Sequence, residues 1–114
     1  MSKDDLVRLR HMLDSAQEAV ELIQGKTRTD LDKNRVLSLA LVRLLEIVGE
    51  AASKVTTDTR EQTPNIPWSQ IIGLRYRLIH GYDTINMDIL WKILTEDLPD
   101  LADQLSKIIS RGFE

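Results

Sequence analysis

The spacing of apolar residues constrains this chain more than any other feature of its sequence. Leucine, isoleucine, valine and alanine recur at steps of three and four along most of its length. That period places them on one face of an α-helix, whereas a half-buried strand alternates apolar and polar residues. No stretch shows such alternation, and aromatic residues make up only 4% of the chain. The pattern therefore predicts an all-α protein.

The first two predicted helices differ in how much of their surface is apolar. The first begins at Ser2, a candidate N-cap, and closes at Gly25, a candidate C-cap. The second spans roughly residues 30–55 and is apolar over most of its circumference, which indicates burial on more than one side. Either the centre of a bundle or a second chain could cover it. Gly49 lies within this helix, where the close approach of another helix would explain a glycine.

The third predicted helix follows a longer connection. Residues 56–67 are rich in Thr, Asn and Pro and are predicted to be irregular. Asn65 can cap the next helix, with Pro67 in its first turn. This helix is expected to run to His80, where Gly81 stops it.

The last helical region is expected to begin near Thr84 or Asn86 and to continue beyond residue 105. Pro99 interrupts it, and a proline inside a helix kinks or splits it, so either one kinked helix or two helices are expected. Asp97 could start the second of them. Four helical units with mostly short connections predict an antiparallel, up-down four-helix bundle.

Length and composition indicate one ordinary globular domain, residues 1–114, with 42% hydrophobic and 29% charged residues. The net charge of -3 argues against a broad nucleic-acid-binding surface but leaves room for a small basic site.

The absence of cysteine excludes thiol catalysis, thiolate metal sites and disulfides. Neither a signal peptide nor an apolar run of membrane-spanning length is found, so a cytoplasmic location is expected.

One segment concentrates the residues that carry chemistry. No acidic residue lies between Glu61 and Asp83, so the segment between them is locally positive. It holds two guanidiniums, an imidazole and a phenol within eight residues, namely Arg75, Arg77, His80 and Tyr82. Arginine binds phosphate with a planar fork of donors, and histidine moves protons near neutral pH. Together they predict a phosphate-handling site.

The roles within such a site follow from the side chains. His80 would move a proton to or from a sugar hydroxyl, and Arg75 would stabilise charge developing on a phosphate. In an ideal helix the two lie about 140° apart, so either a π-type turn near Gly81 or a two-fold dimer must bring them together. His11 and His80 lie on different predicted helices, and the chain has no recognisable metal-ligand spacing. No metal or cofactor is therefore expected.

The segment R-Y-R-L-I-H-G-Y, Arg75 to Tyr82, resembles the R-x4-H-x-Y motif of the HEPN superfamily. Its flanks narrow the resemblance to the HepT-like toxins of HEPN/minimal-nucleotidyltransferase toxin–antitoxin systems. Those flanks are I-V-G-E-A-A before the motif, I-P-W-S-Q-I-I-G-L-R leading into it, and W-K-I-L-T-E-D-L-P-D-L after it. The resemblance covers nearly the whole chain.

The resemblance implies a homodimeric helical bundle and a metal-independent ribonuclease whose cleft is shared by the two subunits. Arg75 and His80 match the catalytic pair. Tyr82 matches the tyrosine to which the cognate nucleotidyltransferase antitoxin adds AMP. Arg77 and Tyr76 are candidates for positioning the RNA, although Tyr76 stands where the family commonly has Asn.

Other interpretations of the same residues remain open. The cleft could bind a nucleotide or the nucleotidyltransferase without cleaving RNA, an alternative for which Tyr76 and the acidic net charge leave room. The protein could also be a purely structural dimer. Arg75 could simply pair with Glu50 or Asp83, and His80 could simply cap a helix against its dipole.

Overall fold

The computed structural model describes residues 1–82 and 84–111. Within these residues the chain is mostly helical, as predicted, with a long C-terminal helix. The helices are α1 (Lys3–Leu22), α2 (Arg28–Lys33), α3 (Arg35–Lys54), α4 (Thr57–Gln62), α5 (Trp68–Ile72), α6 (Leu74–Leu78), α7 (Met87–Lys92) and α8 (Leu98–Arg111). The structure also contains two short strands, β1 (Ile79–His80) and β2 (Thr84–Ile85), and a π-helical turn over Ile93–Asp97.

Helix α1 begins as its sequence predicts and lies between two other long helices. The side chain of Ser2 accepts a hydrogen bond from the backbone N–H of Asp5 at 3.1 Å, which caps the helix. Its apolar face contacts both α3 and α8. The helix ends two residues earlier than predicted. Its C-cap is Ile23, and Gly25, the predicted C-cap, lies in the turn that follows, with φ of +75°.

The predicted second helix is in fact two helices, separated at Asn34. The backbone of Asn34 is extended, and its side chain accepts a hydrogen bond from the N–H of Leu37 at 3.0 Å. A helix interior offers asparagine no such partner, so the residue ends α2 and caps α3. The buried Ser38 donates to the carbonyl of Leu31 at 2.6 Å, which ties the two helices together.

The connection predicted to be irregular contains helix α4, and a buried carboxylate explains why. Asp5, only 2% exposed, accepts hydrogen bonds from the hydroxyls of Thr56 and Thr59, both at 2.6 Å. It also accepts from the backbone N–H of Thr56 at 3.1 Å. These bonds fix the first turn of α4 against the start of α1, a long-range contact that local sequence patterns do not reveal.

The predicted third helix is shorter than expected and broken. Pro67 precedes it as the N-cap residue, and neither a side-chain cap nor a role for Asn65 is found there. Gly73 separates α5 from α6, and α6 ends at Leu78 rather than at His80. The chain then forms a small antiparallel hairpin that pairs Ile79 with Ile85 and His80 with Thr84.

The glycine within α3 has the role that its position predicted. A Cβ atom on Gly49 would lie 3.1 Å from the backbone oxygen of Ile71, at the end of α5. That separation is shorter than a side chain normally tolerates against a carbonyl oxygen. Gly49 therefore allows α5 to pack closely on α3, and this contact sets the position of α6 beside α3.

The C-terminal region is one continuous helical run rather than two helices. It begins at Met87. The side chain of Asn86 caps it by accepting a hydrogen bond from the backbone N–H of Ile89 at 3.0 Å, so of the two predicted starts, Thr84 and Asn86, the second is confirmed. The π-helical turn lies just before Pro99. Because proline lacks an N–H and clashes with the carbonyl four residues earlier, a wider turn there accommodates it without ending the helix.

The hydrophobic core lies between these elements and draws on nearly all of them. Leu9 and Met12 of α1, Leu41 and Leu45 of α3, and Leu105 of α8 are fully buried. Within the described residues, no helix is long and apolar enough to cross a membrane.

Candidate functional site

Four residues of the segment, Arg75, Tyr76, His80 and Tyr82, lie where α6 gives way to the hairpin. Arg75 and Tyr76 project from α6, and Tyr76 is 86% exposed. His80 is exposed on β1, while the neighbouring Ile79 is half-buried against the core. Tyr82, in the hairpin turn, is 96% exposed. These side chains are therefore accessible from outside the molecule.

The extended conformation of His80 has a specific cause. The backbone N–H of Asn86 donates to the carbonyl of Leu78 at 2.8 Å, so the chain folds back directly after α6. Gly81 then takes a φ of +75°, a conformation that glycine adopts without a steric penalty. Two routes that could join Arg75 and His80 were predicted. One of them, a π-type turn near Gly81, is not found in the part of the chain that the structure describes. The π-helical turn lies elsewhere, and the helix simply ends.

Arg75 forms an ion pair with an acidic residue of α3. Its Nη1 lies 3.7 Å from Oε2 of Glu46, whose side chain is only 20% exposed. The suggested partner Glu50 instead lies 3.5 Å from Arg43. Asp83, the other suggested partner, is outside the described residues. Sequence reasoning missed Glu46 because nothing in the sequence distinguishes it from the other few polar residues of the second predicted helix.

Two depressions flank Arg75 and Tyr76. The α3–α6 groove has a volume of about 160 Å³ and is lined by Leu45, Glu46, Gly49, Glu50, Ser53, Ile72, Arg75 and Tyr76. The hairpin hollow, of about 330 Å³, is lined by Arg75, Tyr76, Ile79 and Gly81. Arg75 and the residues on either side of His80 thus border one hollow. Within the described residues, no hydrogen bond joins the side chains of Arg75 and His80.

Arg77 faces a different part of the molecule. Its Nη2 lies 3.9 Å from Oδ2 of Asp97, in the π-helical turn. Both residues line a separate cavity of about 100 Å³ between α5, α6 and α8, and Arg75 is not among the residues of that cavity. The structure therefore brings Arg75 and Tyr76 together and directs Arg77 elsewhere.

The described residues contain no group of three or more His, Asp or Glu side chains arranged to hold a metal ion. What the site offers is an exposed guanidinium, an exposed imidazole, two exposed phenols and two nearby carboxylates. Those groups can bind phosphate, move protons and contact bases.

Comparison with known proteins identifies the family. The family model described as ribonuclease HepT-like matches residues 12–108. The chain is 38% identical to “Putative RNase MJ1380” of Methanocaldococcus jannaschii over 106 residues, which is 92% of this chain and 97% of the relative. It is 35% identical to “Probable ribonuclease HepT” of Thermococcus cleftensis over 100 residues, 84% of this chain and 91% of that one. The chain belongs to the HepT-like ribonuclease family, as its sequence predicted.

A third relative, “Putative RNase TTE0752” of Caldanaerobacter subterraneus subsp. tengcongensis, is 35% identical over 103 residues, 90% of this chain and 92% of the relative. No solved structure matches the chain.

Proposed function

We propose that this protein is a metal-independent ribonuclease that acts as the toxin of a toxin–antitoxin pair, with Arg75 and His80 as its catalytic residues. Membership of the HepT-like ribonuclease family supports RNA as the substrate. The observation that supports the assignment is the hairpin hollow, which is lined by Arg75, by Tyr76 and by Ile79 and Gly81, the two chain neighbours of His80. Both side chains are exposed, as contact with an RNA strand would require.

The proposed reaction is an internal transesterification. His80 removes the proton of a ribose 2′-hydroxyl, the 2′-oxygen attacks the adjacent phosphorus, and the bond from phosphorus to the 5′-oxygen breaks. A protonated imidazole donates a proton to the leaving 5′-oxygen. Arg75 binds the non-bridging oxygens, on which negative charge increases in the transition state. The products carry a 2′,3′-cyclic phosphate and a 5′-hydroxyl.

A homodimer would supply the second imidazole. We take residues 1–114 as a single domain built as an antiparallel four-helix bundle, paired through the outer face of α3. That face carries Val36 and Leu39, whose side chains are 78% and 45% exposed, and large exposed apolar residues favour burial against a partner. A two-fold axis near this face would place two sets of Arg75 and His80 along one shared cleft.

Tyr82 is the proposed site of control by a cognate nucleotidyltransferase. Its side chain is 96% exposed, so a second enzyme can reach the hydroxyl without unfolding the hairpin. Transfer of AMP forms a bond from the phenolic oxygen to the α-phosphorus of ATP and releases pyrophosphate. The added negative charge and bulk would then oppose entry of RNA into the hairpin hollow.

Cleavage of RNA by the purified protein in excess chelator tests this proposal. The wild type is expected to cleave, whereas Arg75→Ala and His80→Ala are expected to lose at least about a hundredfold in rate, which is typical of removing a catalytic proton-transfer or charge-stabilising group. His11→Ala is the matched control, because His11 is the other histidine of the chain and is exposed on α1. Equal cleavage by all four proteins would contradict the assignment.

A non-catalytic module that binds a nucleotide or the nucleotidyltransferase is the second candidate. The pairing of Arg75 with Glu46 favours it, because a carboxylate competes with phosphate for the guanidinium. Binding of RNA or of the partner enzyme without any cleavage by the wild type would support this function instead.

A further inference from the structure

Tyr76 combines high exposure with a position next to the proposed phosphate-binding residue. Its ring is 86% exposed and borders both the α3–α6 groove and the hairpin hollow. Burial of an aromatic ring is ordinarily favourable, so a tyrosine left this exposed is available for a ligand. Aromatic side chains beside a cationic residue are the usual stacking surfaces for the bases of single-stranded nucleic acid.

The lining of the α3–α6 groove indicates which part of an RNA strand could enter it. Glu46 and Glu50 both border the groove, so their charges repel phosphate and their oxygens accept hydrogen bonds. Glu46 is paired with Arg75. Glu50 is 63% exposed and lies 3.5 Å from the equally exposed Arg43, and such surface pairs exchange partners at little cost. Glu50 is therefore the carboxylate available to a ligand.

The groove also has a suitable size for a flat ring. Its volume is about 160 Å³, close to that of an engineered cavity of roughly 150 Å³ that binds benzene. The side chain of Ile72 contributes apolar atoms to its lining.

We propose that the α3–α6 groove is a nucleobase subsite that takes an amino-bearing base of the RNA next to the phosphate held by Arg75. The ring of Tyr76 stacks on the base, and Glu50 accepts a hydrogen bond from the exocyclic amino group, as a carboxylate does from the N4 amino group of cytosine. The subsite rests on the proposed ribonuclease function and adds to it a preference for the bound base.

Binding of 2′-O-methyl oligonucleotides tests the subsite separately from cleavage, because they lack the free 2′-hydroxyl that the reaction uses. Oligo(C) and oligo(U) are a matched pair, because cytosine carries an exocyclic amino group where uracil carries a carbonyl oxygen. Fluorescence anisotropy is expected to show wild-type protein binding oligo(C) at least about fivefold more tightly than oligo(U), within the range of one good base contact. Tyr76→Ala should weaken both by roughly five- to 150-fold, and Tyr76→Phe should retain both affinities.

Two carboxylate variants separate recognition from general charge effects. Glu50→Gln is expected to abolish the preference for oligo(C) while leaving the affinity for oligo(U) intact or higher. Glu18→Gln removes the same charge from an exposed position on α1 and should leave the ratio of the affinities for oligo(C) and oligo(U) unchanged. If Tyr76→Ala does not fold or associate normally, the ratio measured with Glu50→Gln decides the question.

The outcomes distinguish failure of the subsite from failure of the nuclease. Equal binding of the two oligonucleotides by the wild type, or unchanged binding by Tyr76→Ala, overturns the subsite even if unmodified RNA is cleaved. A preference for oligo(C) that depends on Glu50 supports the subsite even if the wild type cleaves no RNA, in which case only the proposed catalysis fails.

Discussion

Arg75 of α6 is paired with Glu46 of α3, with Nη1 of the guanidinium 3.7 Å from Oε2 of the carboxylate. The pair joins the proposed catalytic segment to a helix that contributes heavily to the core. Gly49, one turn further along α3, lets α5, which directly precedes α6, pack closely on α3. The orientation of Arg75 therefore depends on packing outside the R-x4-H-x-Y motif.

Replacing Glu46 by glutamine should lower the cleavage rate constant by up to about fivefold, since the Arg75 guanidinium would lose an ion pair of about 0.2–1 kcal/mol that orients it. KM for RNA should stay the same or fall, because a competitor for the guanidinium is removed. Steady-state kinetics separate the two effects. An unchanged rate constant would show that Glu46 does not position Arg75.

Replacing Gly49 by alanine should destabilise the protein. The new Cβ would lie 3.1 Å from the carbonyl oxygen of Ile71, and overpacking of this kind costs about 1–3 kcal/mol. The better helix propensity of alanine offsets about 0.5–1 kcal/mol of that cost. Thermal unfolding should show a lower midpoint than for the wild type, whereas Arg35→Ala, at an exposed position of α3, should change it little. A higher midpoint for the glycine variant would contradict the close packing of α5 on α3.

Stability should depend on the ionisation of Asp5. Burial alone would raise the pKa of this carboxyl group, but hydrogen bonds from Thr56 and Thr59 outweigh it and hold the pKa below its ordinary value of 3.8. A group whose pKa is lowered in the folded state stabilises that state above its ordinary pKa. This contribution is lost as the pH falls from about 3.8 through the lowered folded value.

Asp5→Asn tests this dependence. The variant should be less stable than the wild type by about 2 kcal/mol at neutral pH, because the hydroxyl donors lose a charged acceptor. The difference should shrink on acidification below the ordinary pKa. Urea unfolding at several pH values measures it. A difference that stays constant with pH would show that the charge of Asp5 contributes nothing.

Tyr82→Phe should leave folding and cleavage almost unchanged, because the side chain is 96% exposed and only its hydroxyl is removed. The same change should prevent modification by the cognate nucleotidyltransferase and ATP, whereas Tyr76→Phe should still accept one AMP. Intact-mass measurement detects the adduct. An adduct on the Tyr82 variant would place the acceptor elsewhere.

Local signals in the sequence predicted several elements correctly. The caps at Ser2 and Asn86 were visible because a side chain bonds to its own helix. The role of Gly49 was visible because a glycine within a helix needs an explanation. The break at Asn34 had a local signal too, but the long apolar run around it favoured a continuous helix.

Long-range contacts account for what the sequence did not reveal. Helix α4 depends on Asp5, which lies far away in sequence. The hairpin at His80 depends on the hydrogen bond from the backbone N–H of Asn86 to the carbonyl of Leu78. The apolar spacing in the sequence continues through Ile79 and therefore predicted a helix there instead. The motif itself could be read from a short segment, whereas its partner Glu46 and the α3–α6 groove required the packing of α6 on α3.

The chemical nature of the RNA termini tests the central claim most directly. Wild-type protein in excess chelator should leave a 2′,3′-cyclic phosphate on one fragment and a 5′-hydroxyl on the other, as mass spectrometry of a short synthetic RNA can show. His80→Ala should yield neither. Products with a 3′-hydroxyl and a 5′-phosphate would mean that water, rather than the ribose hydroxyl, attacks the phosphorus, and would contradict the roles given to Arg75 and His80.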